Sequence, residues 1–375
     1  MNIREINAKS ILRKLKKIDS WFLSRYGMNL YRGCTHNCVY CDGRSEKYDV
    51  EGEFGSEVEV KINAIDILQR ELNPKRKRIP LKKGYVMVGG GVGDSYQPIE
   101  KKYELTRKTL ELLYKKEFPV HILTKSNLVE KDIDILKKIN EKNRCIVSFS
   151  FSSANDNICS IFEPSVPSPE KRFETLEMFK KEGISIGLFL LPVIPFITDN
   201  PKIIEDTIKK AKKIDIDFII FGGMTLKDGK QKDYFYDALK KSYPDLQVEY
   251  NNIYREDKWG NPISEYYQSI HHTFDVIVKK YNIPKRIPPH LYKDILDIND
   301  LVIVTLEHID YLLRFKETKS PYGYSAYSIS KINEPLSNMR RNLKSIKGVG
   351  PTTEGIILEI LDNGKSSYLE KLLYN

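Results

Sequence analysis

Three cysteines stand close together near the start of the chain, in the stretch YRGCTHNCVYCDGR that covers residues 31–44. Cys34, Cys38 and Cys41 have the spacing Cys-x3-Cys-x2-Cys, and thiolates so close in sequence are typical ligands of zinc or of an iron–sulfur cluster. A structural zinc site needs four ligands, and His36 is the candidate within the loop for the fourth. His36 lies between two of the cysteines, where the loop has difficulty turning it inward. A cubane cluster with one open iron therefore fits this spacing better than zinc does.

An open iron can bind the amino and carboxylate groups of S-adenosylmethionine (SAM), and an electron from the cluster can then cleave the sulfonium. The spacing resembles the signature of the radical SAM superfamily, in which an aromatic residue precedes the last cysteine, as Tyr40 does here. The resemblance implies a 4Fe–4S cluster and SAM as cofactors, with the backbone of Tyr40 against the adenine. It also implies a reductase, or an electron donor of the flavodoxin or ferredoxin type.

The composition narrows the class of protein. Of the 375 residues 41% are hydrophobic and 30% are charged, and no apolar run reaches the ~20 residues of a membrane span. Five cysteines in so long a chain form no disulfide framework, so we expect a reducing, cytoplasmic environment and no membrane partner. The net charge of +10 favours a polyanionic partner, although many lysine-rich proteins are basic without binding nucleic acid.

Apolar runs alternate with segments of helical periodicity through the middle of the chain, which predicts a parallel sheet built from β–α units. The predicted strands are 28–33, 85–90, 120–124, 145–150, 184–191 and 218–223. The predicted helices lie near 58–72, 100–116, 130–142, 168–182 and 201–213. Six such units fit the partial barrel of radical SAM enzymes, in which the chemistry lies at the carboxyl ends of the strands.

A glycine-rich segment, VGGGVGDSYQPIE (88–100), follows the second predicted strand. Gly89, Gly90 and Gly91 match the turn that grips the amino group of the methionine moiety in radical SAM enzymes, with the acidic residue displaced to Asp94. A dinucleotide-binding loop is the rival interpretation, but the G-x-G-x-x-G spacing is absent. A plain glycine turn is the remaining alternative.

Five motifs in order resemble the spore photoproduct lyase-like family, whose members are commonly labelled DNA repair photolyases. They are NLYRGCTHNCVYCD, GDSYQPIE, ILTKS, FEPSVPSPEKR and PVIPFITD, within about residues 20–225. The resemblance implies that Lys125 contacts the SAM carboxylate and that Ser148 contacts the ribose or methionine region. Candidates for shaping the substrate side, assigned as catalytic, are Asp94, Tyr96, Glu163 and Arg172. Read without the resemblance, Lys125 and Arg172 are equally well surface charges.

The sequence departs from this family in one respect. Spore photoproduct lyases carry a hydrogen-donor cysteine shortly before the Asp of the glycine segment, and here that neighbourhood has no thiol. Cys145 opens an apolar strand and is expected in the core, whereas Cys159 could quench a radical or could be structural. Reversal of a thymine dimer therefore does not carry over from the resemblance.

The C-terminal segment 343–373 resembles a helix-hairpin-helix, and the whole of 299–375 resembles the small N-terminal domain of X-family DNA polymerases. That domain binds DNA backbone, and Ile356 stands where some of its members carry a Schiff-base lysine, so lyase chemistry of that kind is not implied. The candidate nucleic-acid-binding residues are Arg340, Arg341, Lys344, Lys347, Gly348 and Gly350. The alternative is a helical cap that makes protein contacts.

Together these observations predict an α/β fold, a partial (βα)6 TIM-type radical SAM barrel followed by a small all-helical helix-hairpin-helix domain. We expect a basic N-terminal helix over 1–24, the barrel over 25–281, a linker over 282–298 and the helical domain over 299–375. The predicted function is reductive cleavage of SAM to a 5′-deoxyadenosyl radical that acts on DNA. The alternatives are RNA or a protein as the substrate, or a DNA-binding iron–sulfur redox sensor that does not cleave SAM.

Overall fold

The computed structural model describes residues 2–48, 52–75, 81–82, 84–89, 92–255, 257–314 and 319–374. Its strands are β1 Asn2–Ile6, β2 Leu12–Asp19, β3 Ser24–Met28, β4 Tyr31–Arg32, β5 Glu57–Lys61, β6 Tyr85–Val88, β7 Val120–Thr124, β8 Cys145–Phe151, β9 Ser185–Val193 and β10 Phe218–Gly223. Its helices are α1 Ala64–Glu71, α2 Glu100–Tyr103, α3 Leu105–Lys115, α4 Ile133–Lys142, α5 Asp156–Phe162, α6 Pro169–Lys181, α7 Pro201–Lys213, α8 Lys230–Ser242, α9 Gln247–Ile253, α10 Ser264–Lys280, α11 Ile298–Arg314, α12 Tyr322–Ile329, α13 Pro351–Asn363 and α14 Ser367–Tyr374.

A seven-stranded sheet forms the body of the molecule, in the order β10-β9-β8-β7-β6-β3-β2. Strands β3 and β6 to β10 run parallel to one another, and only β2 at the edge is antiparallel to its neighbour. The mainly parallel sheet with its helical connections confirms the predicted α/β, partial TIM-type fold. The carboxyl ends of the parallel strands therefore meet at one edge, where loops from several units can share a site.

Two predicted elements are shifted. The first barrel strand is β3, which ends at Met28, whereas the predicted strand 28–33 is mostly the loop that leads to the short strand β4. β4 pairs instead with β5 in a separate three-stranded sheet of order β1-β5-β4. The predicted helix over 58–72 begins as β5, because the backbone of the segment EVEVK pairs with β1 on one side and β4 on the other, while its alternate valines are buried on one face.

The predicted basic helix over residues 1–24 is wrong. This segment forms β1, which pairs in parallel with β5, and β2, which pairs with β3 at the edge of the main sheet. Pairing with preformed strands overrides the weak helical periodicity of the segment. Arg13, Lys14 and Lys16 lie exposed on β2, and charges of this kind protect an edge strand from further pairing.

The core continues from the barrel into the C-terminal helices. Val147 and Phe149 of β8 pack with the helices that surround the sheet. Tyr85, Ile146 and Phe218, near the amino ends of their strands, belong instead to a buried cluster that includes Val302 and other residues of α11. Helix α11 therefore closes the amino end of the barrel, opposite the edge where the loops converge.

The predicted linker, residues 282–298, is largely buried against the barrel. The backbone N–H of Ile219 in β10 donates to the carbonyl of Pro284 at 2.9 Å, and the hydroxyl of Tyr85 donates to the carbonyl of Leu291 at 2.5 Å. The domain boundaries stay a prediction, and the segment between them is packed rather than extended into solvent. None of the helices in the described ranges is long and apolar enough to cross a membrane.

A buried ion pair fastens α11 to the barrel. Arg25 of β3 donates two hydrogen bonds to the carboxylate of Asp300, whose side chain is fully buried. We expect Asp300→Asn to lower the free energy of unfolding by about 3–5 kcal/mol, because it leaves the guanidinium buried without a counter-charge. Urea denaturation followed by circular dichroism measures the change.

The matched control is Glu177→Gln, which removes the exposed i,i+4 ion pair between Lys181 and Glu177. Exposed pairs of this kind contribute about 0.5 kcal/mol or less. Equal losses of stability in the two variants would show that the Arg25–Asp300 pair does not hold α11 to the sheet.

Candidate functional site

The three cysteines of the motif lie on a loop that covers the carboxyl edge of the sheet. The loop follows β4, and the backbone N–H of Val39 donates to the carbonyl of Phe162 at 2.8 Å, which ties it to the end of α5. The ends of β6, β7 and β8 and the connection from α5 to α6 complete the site. Five separate segments of sequence thus converge there, as parallel β–α units require.

The cysteine side chains suit a cluster better than a single ion. Burial raises the pKa of all three thiols, to about 12 for Cys34, so they are protonated at neutral pH until a metal displaces the protons. No group of three His, Cys, Asp or Glu side chains in the described part of the chain is placed to hold one metal ion. A cubane differs from such a site because each thiolate ligates its own iron.

His36 is engaged elsewhere and does not complete a zinc site. Its Nδ1 lies 3.2 Å from the carbonyl oxygen of Ser165, and its Nε2 lies 3.3 Å from Oδ2 of Asp94. Both ring nitrogens therefore face protein oxygens, which leaves neither for a metal. The loop thus offers three candidate ligands, which suit a cluster with one open iron.

Arg44, which the sequence analysis missed, fixes the shape of the cysteine loop. Its guanidinium donates to the carbonyls of Cys38 and Phe54, each at 3.2 Å, and to that of Asn37 at 3.3 Å. The same group lies 3.4 Å from the ring centroid of Tyr234. The sequence gives no signal for this role, because the burial that makes the cation need several acceptors is visible only in the structure.

Two glutamines hold the remaining backbone groups of the loop. Gln97 is fully buried, donates to the carbonyl of Gly33 at 3.1 Å and accepts from the N–H of Thr35 at 3.0 Å. The side-chain amide of Gln231 donates to the carbonyl of Tyr40 at 3.0 Å. The loop is thus held from both sides by side chains that belong to other β–α units.

Glu163 brings three other predicted cofactor and substrate residues together around its carboxylate. Tyr40 donates its hydroxyl to Oε1, Lys125 lies 3.2 Å from the same oxygen, and Arg172 lies 2.6 Å from Oε2. Although burial disfavours its charged form, Arg172 and Lys125 lower the pKa of Glu163 to about 2. The carboxylate is therefore ionised at neutral pH, and its charge fixes both cations.

Ser150 also belongs to this network, whereas Ser148, the predicted residue on the same strand, does not. Lys125 donates to the Ser150 hydroxyl at 3.0 Å, and Arg172 donates to the Ser150 carbonyl at 2.8 Å. Ser148, which was predicted to contact SAM, is fully buried one pleat deeper, where its hydroxyl lies 2.8 Å from Nε2 of His121. Alternate residues share a face of a strand, so the one nearer the carboxyl end reaches the mouth of the barrel.

Asp94 ties the glycine segment to the end of β7. It accepts from the hydroxyl of Thr124 and from the backbone N–H groups of Lys125 and Tyr96, each at 2.8 Å. Although burial disfavours its charged form, His36 and these amides lower the pKa of Asp94. The side chain of Tyr96 is fully buried and donates to Asp132 at 3.1 Å, away from the Glu163 network.

The glycine turn before Asp94 is partly described. Gly89 has φ +83°, and a Cβ there would lie 2.3 Å from the carbonyl oxygen of Leu123, so only glycine fits. The predictions for Gly90 and Gly91 fall outside the described residues.

The two cysteines outside the loop are both buried. Cys145 is in the core on β8, as predicted. Cys159 lies on α5, where its sulfur is 3.5 Å from the hydroxyl of Ser152 and 3.7 Å from that of Ser153. A radical-quenching role for Cys159 stays a prediction.

A second candidate surface lies before α13 and is called here the hairpin surface. It consists of Arg340, Arg341, Lys344, Lys347, Gly348 and Gly350, and all four cationic side chains are exposed. Gly348 has φ +89°, and α13 begins with Pro351 in its first turn, as predicted. Arg340 pairs with Asp362 at 2.8 Å and Lys344 with Glu354 at 3.0 Å, so helix α13 partly neutralises this surface.

Comparison with known protein families and sequences places the site in context. The family model described as the radical SAM superfamily matches residues 28–204. An uncharacterized protein of Methanocaldococcus jannaschii is 33% identical over 223 residues, which cover 59% of this chain and 78% of that protein. An uncharacterized protein of Mycobacterium tuberculosis is 24% identical over 287 residues, which cover 76% of this chain and 82% of that protein.

Solved structures of spore photoproduct lyase share the fold. The lyase complexed with dinucleoside spore photoproduct has a TM-score of 0.54 at 14% identity, over 74% of this chain and 79% of that chain. A mutant of the lyase with bound AdoMet and dinucleoside spore photoproduct has a TM-score of 0.52 at 17% identity, over 72% and 78%. At these identities the likeness shows the fold alone.

The Glu163 network makes a specific prediction about stability. We expect Glu163→Gln to lower the free energy of unfolding at neutral pH by about 3–5 kcal/mol, because Arg172 is then buried without its counter-charge. The folded-state pKa of Glu163 lies below its unfolded value, so its contribution is complete above the unfolded pKa of about 4.3. Denaturant titrations between about pH 7 and pH 3 should show the two proteins converge as the pH falls.

The matched control for this variant is Glu170→Gln, which removes an exposed pair with Lys210. We expect it to change stability by less than about 1 kcal/mol. If the stability gap between wild type and Glu163→Gln were small at neutral pH, or grew on acidification, the carboxylate would not be the anchor of this network.

Proposed function

Because this chain belongs to the radical SAM superfamily, we propose that it cleaves SAM reductively and that the resulting 5′-deoxyadenosyl radical acts on DNA. Members of the superfamily use a 4Fe–4S cluster and SAM. The observation that carries the proposal is the placement of buried Cys34 and Cys38 and half-buried Cys41 near the Lys125–Glu163 ion pair at the carboxyl edge of the sheet. A structural or redox-sensing cluster has no need of a charged pocket next to it.

The cysteines are proposed to hold the cluster, which when bound supplies the electron that splits SAM into methionine and the 5′-deoxyadenosyl radical. Lys125 offers an ammonium group to the SAM carboxylate, and Glu163 and Ser150 hold that ammonium in place. The cation is therefore positioned before SAM arrives, which reduces the entropy that binding has to overcome.

Further contacts to SAM are proposed for the Gly89–Gly91 turn and for the backbone of Tyr40. The contact predicted for Ser148 is proposed for Ser150 instead, because Ser148 is fully buried beside His121. The carbonyl of Tyr40 already accepts from Gln231, and a carbonyl oxygen can accept a second hydrogen bond. Gly89, the described end of the turn, lies against the carbonyl of Leu123 in β7.

The substrate side is proposed to include Asp94, Tyr96, Glu163 and Arg172. The geometry supports Glu163 and Arg172 most directly, because they lie within the network at the barrel mouth. Asp94 and Tyr96 are proposed to act on the substrate side indirectly, through the loop that they anchor.

The proposal of DNA as the substrate has two supports. The hairpin surface before α13 carries four exposed cations beside a glycine-rich turn, and this arrangement suits phosphate contacts. We propose that the turn and its flanking helices form a helix-hairpin-helix. The structural neighbours include a lyase bound to a dinucleoside photoproduct, and the analogy extends to DNA rather than to that lesion. A reductase or a flavodoxin- or ferredoxin-type protein is the proposed electron donor.

Iron content tests the cluster without any assay of activity. We expect Cys38→Ala to lose most of the iron that the wild-type chain retains after anaerobic reconstitution, about four atoms per chain, because a cubane lacks its anchoring thiolate. Cys145→Ala is the matched control, since Cys145 is equally buried but lies in the core of β8. Equal iron in the two variants would remove Cys38 from the ligand set.

Quantifying 5′-deoxyadenosine tests the activity. The protein is reconstituted with iron and sulfide, reduced, given SAM and assayed with and without ultraviolet-damaged DNA, with Cys38→Ala as the inactive control. We expect release that rises when damaged DNA is present. Release that ignores DNA would keep the radical chemistry and remove DNA as the substrate, and no release from a protein with an intact cluster would favour the redox-sensor alternative.

A further inference from the structure

A groove of about 500 Å³ lies between α12 and the segment that leads into the hairpin surface. Its floor is apolar, formed by Ile332, Met339 and Ile346, and its walls carry two tyrosines and two lysines, Tyr324, Tyr327, Lys331 and Lys347. No carboxylate appears among the residues that line it in the described part of the chain. We call this site the tyrosine groove; elsewhere on the surface Lys171, Lys181 and Lys210 each have an acidic partner.

The two tyrosines expose much of their rings. Tyr324 is 47% exposed and Tyr327 is 53% exposed, whereas Tyr322 on the same helix is buried. Residues three apart on a helix lie on one face, one turn from each other. The rings therefore stand side by side along the groove, at the kind of spacing that successive flat groups of a ligand can use.

The hairpin sets the position of the first ring. A Cβ on Gly348 would lie 2.7 Å from Cδ1 of Tyr324, so glycine there lets the ring pack edge-on against the turn. The hydroxyl of Ser325 donates to the carbonyl of Gly348 at 2.7 Å and joins α12 to the same turn. Stacking on a ring that is already held has a small cost in conformational entropy.

The cations of the groove are not neutralised. The Nζ of Lys331 lies 4.7 Å from the ring centroid of Tyr327, and that of Lys347 lies 5.9 Å from the centroid of Tyr324. Neither lysine forms an ion pair with a residue that the structure describes, in contrast to Arg340 and Lys344, which belong to the hairpin surface together with Lys347. The groove thus presents flat aromatic faces beside free positive charge.

We propose that the tyrosine groove binds single-stranded nucleic acid, with bases stacked on Tyr324 and Tyr327 and the phosphates near Lys331 and Lys347. Aromatic faces with adjacent cations are the features by which proteins bind single strands, whereas a duplex hides its base faces in its own stack. This inference rests on the proposed function, since it specifies the form of nucleic acid that the enzyme engages. The groove would hold an unpaired stretch next to the phosphates that the hairpin surface contacts.

Fluorescence anisotropy of a labelled oligonucleotide of about 12 nucleotides tests the inference on the full-length protein. We expect wild type to bind the single strand more tightly than the corresponding duplex. The double variant Tyr324→Ala/Tyr327→Ala should raise the Kd for the single strand at least about tenfold, because each lost stacking contact weakens binding by that order. An RNA arm of the same sequence shows which single strand is preferred, and tight binding of either one supports the groove.

Two controls separate stacking from loss of fold. Tyr324→Phe/Tyr327→Phe keeps the rings and should stay within about twofold of wild type. Tyr374→Ala removes another exposed tyrosine, outside the groove, and should leave the Kd unchanged. Lys331→Ala/Lys347→Ala should weaken binding. It should also reduce the slope of the logarithm of the binding constant against the logarithm of the salt concentration, by about 0.7 per lost charge.

The inference is overturned if wild type binds no single strand, or if the alanine variant loses duplex and single-strand binding equally. Release of 5′-deoxyadenosine without nucleic acid should be the same in wild type and in the tyrosine variants. If wild type releases 5′-deoxyadenosine but binds no single strand, the proposal for the groove is wrong and the proposal of SAM cleavage is retained. If it binds single strands but never releases 5′-deoxyadenosine, the groove proposal is retained and the proposal of SAM cleavage is wrong.

Discussion

One buried carboxylate holds together the elements at the carboxyl ends of the barrel strands. Glu163 is bound at the same time by a residue of the cysteine loop, by Lys125 at the end of β7 and by Arg172 of α6. Charges so deeply buried are tolerated only when each has a partner, so these three elements cannot move independently. The position of the thiols relative to the sheet, and the direction of the lysine beside them, both follow from this ion network.

The opposite end of the barrel is closed mainly by apolar packing. There the amino ends of the strands meet the apolar face of α11, and the core runs without interruption into the C-terminal helices. Arg25 and Asp300 add a polar anchor inside this contact, and the guanidinium of Arg286 lies 3.3 Å from the ring centroid of Tyr311 on α11 and 4.3 Å from that of Trp21. The helices that carry the hairpin surface therefore pack directly against the barrel. The position of the proposed nucleic-acid surface relative to the barrel is set by this packing.

The sequence predicts the parallel barrel well, because buried parallel strands appear as apolar runs between helical segments. Sequence pattern fails where pairing partners decide the structure: residues 2–19 have helical spacing yet form strands, since β5 and β3 offer them free edges. The three cysteines are predicted as cluster ligands from their spacing alone, and this assignment stays a prediction. The choice between Ser148 and Ser150 and the role of Arg44 could not be predicted, because both depend on depth and distance in three dimensions.

Arg44 shows that the shape of a cation can matter as much as its charge. Its guanidinium donates to the carbonyls of Asn37, Cys38 and Phe54 at once, and the ring of Tyr234 lies against its face. A planar guanidinium can meet several acceptors and still stack on an aromatic ring, whereas the ammonium of lysine is a compact point charge. The course of the loop backbone therefore depends on arginine at this position, and a lysine of equal charge would not hold the same three carbonyls.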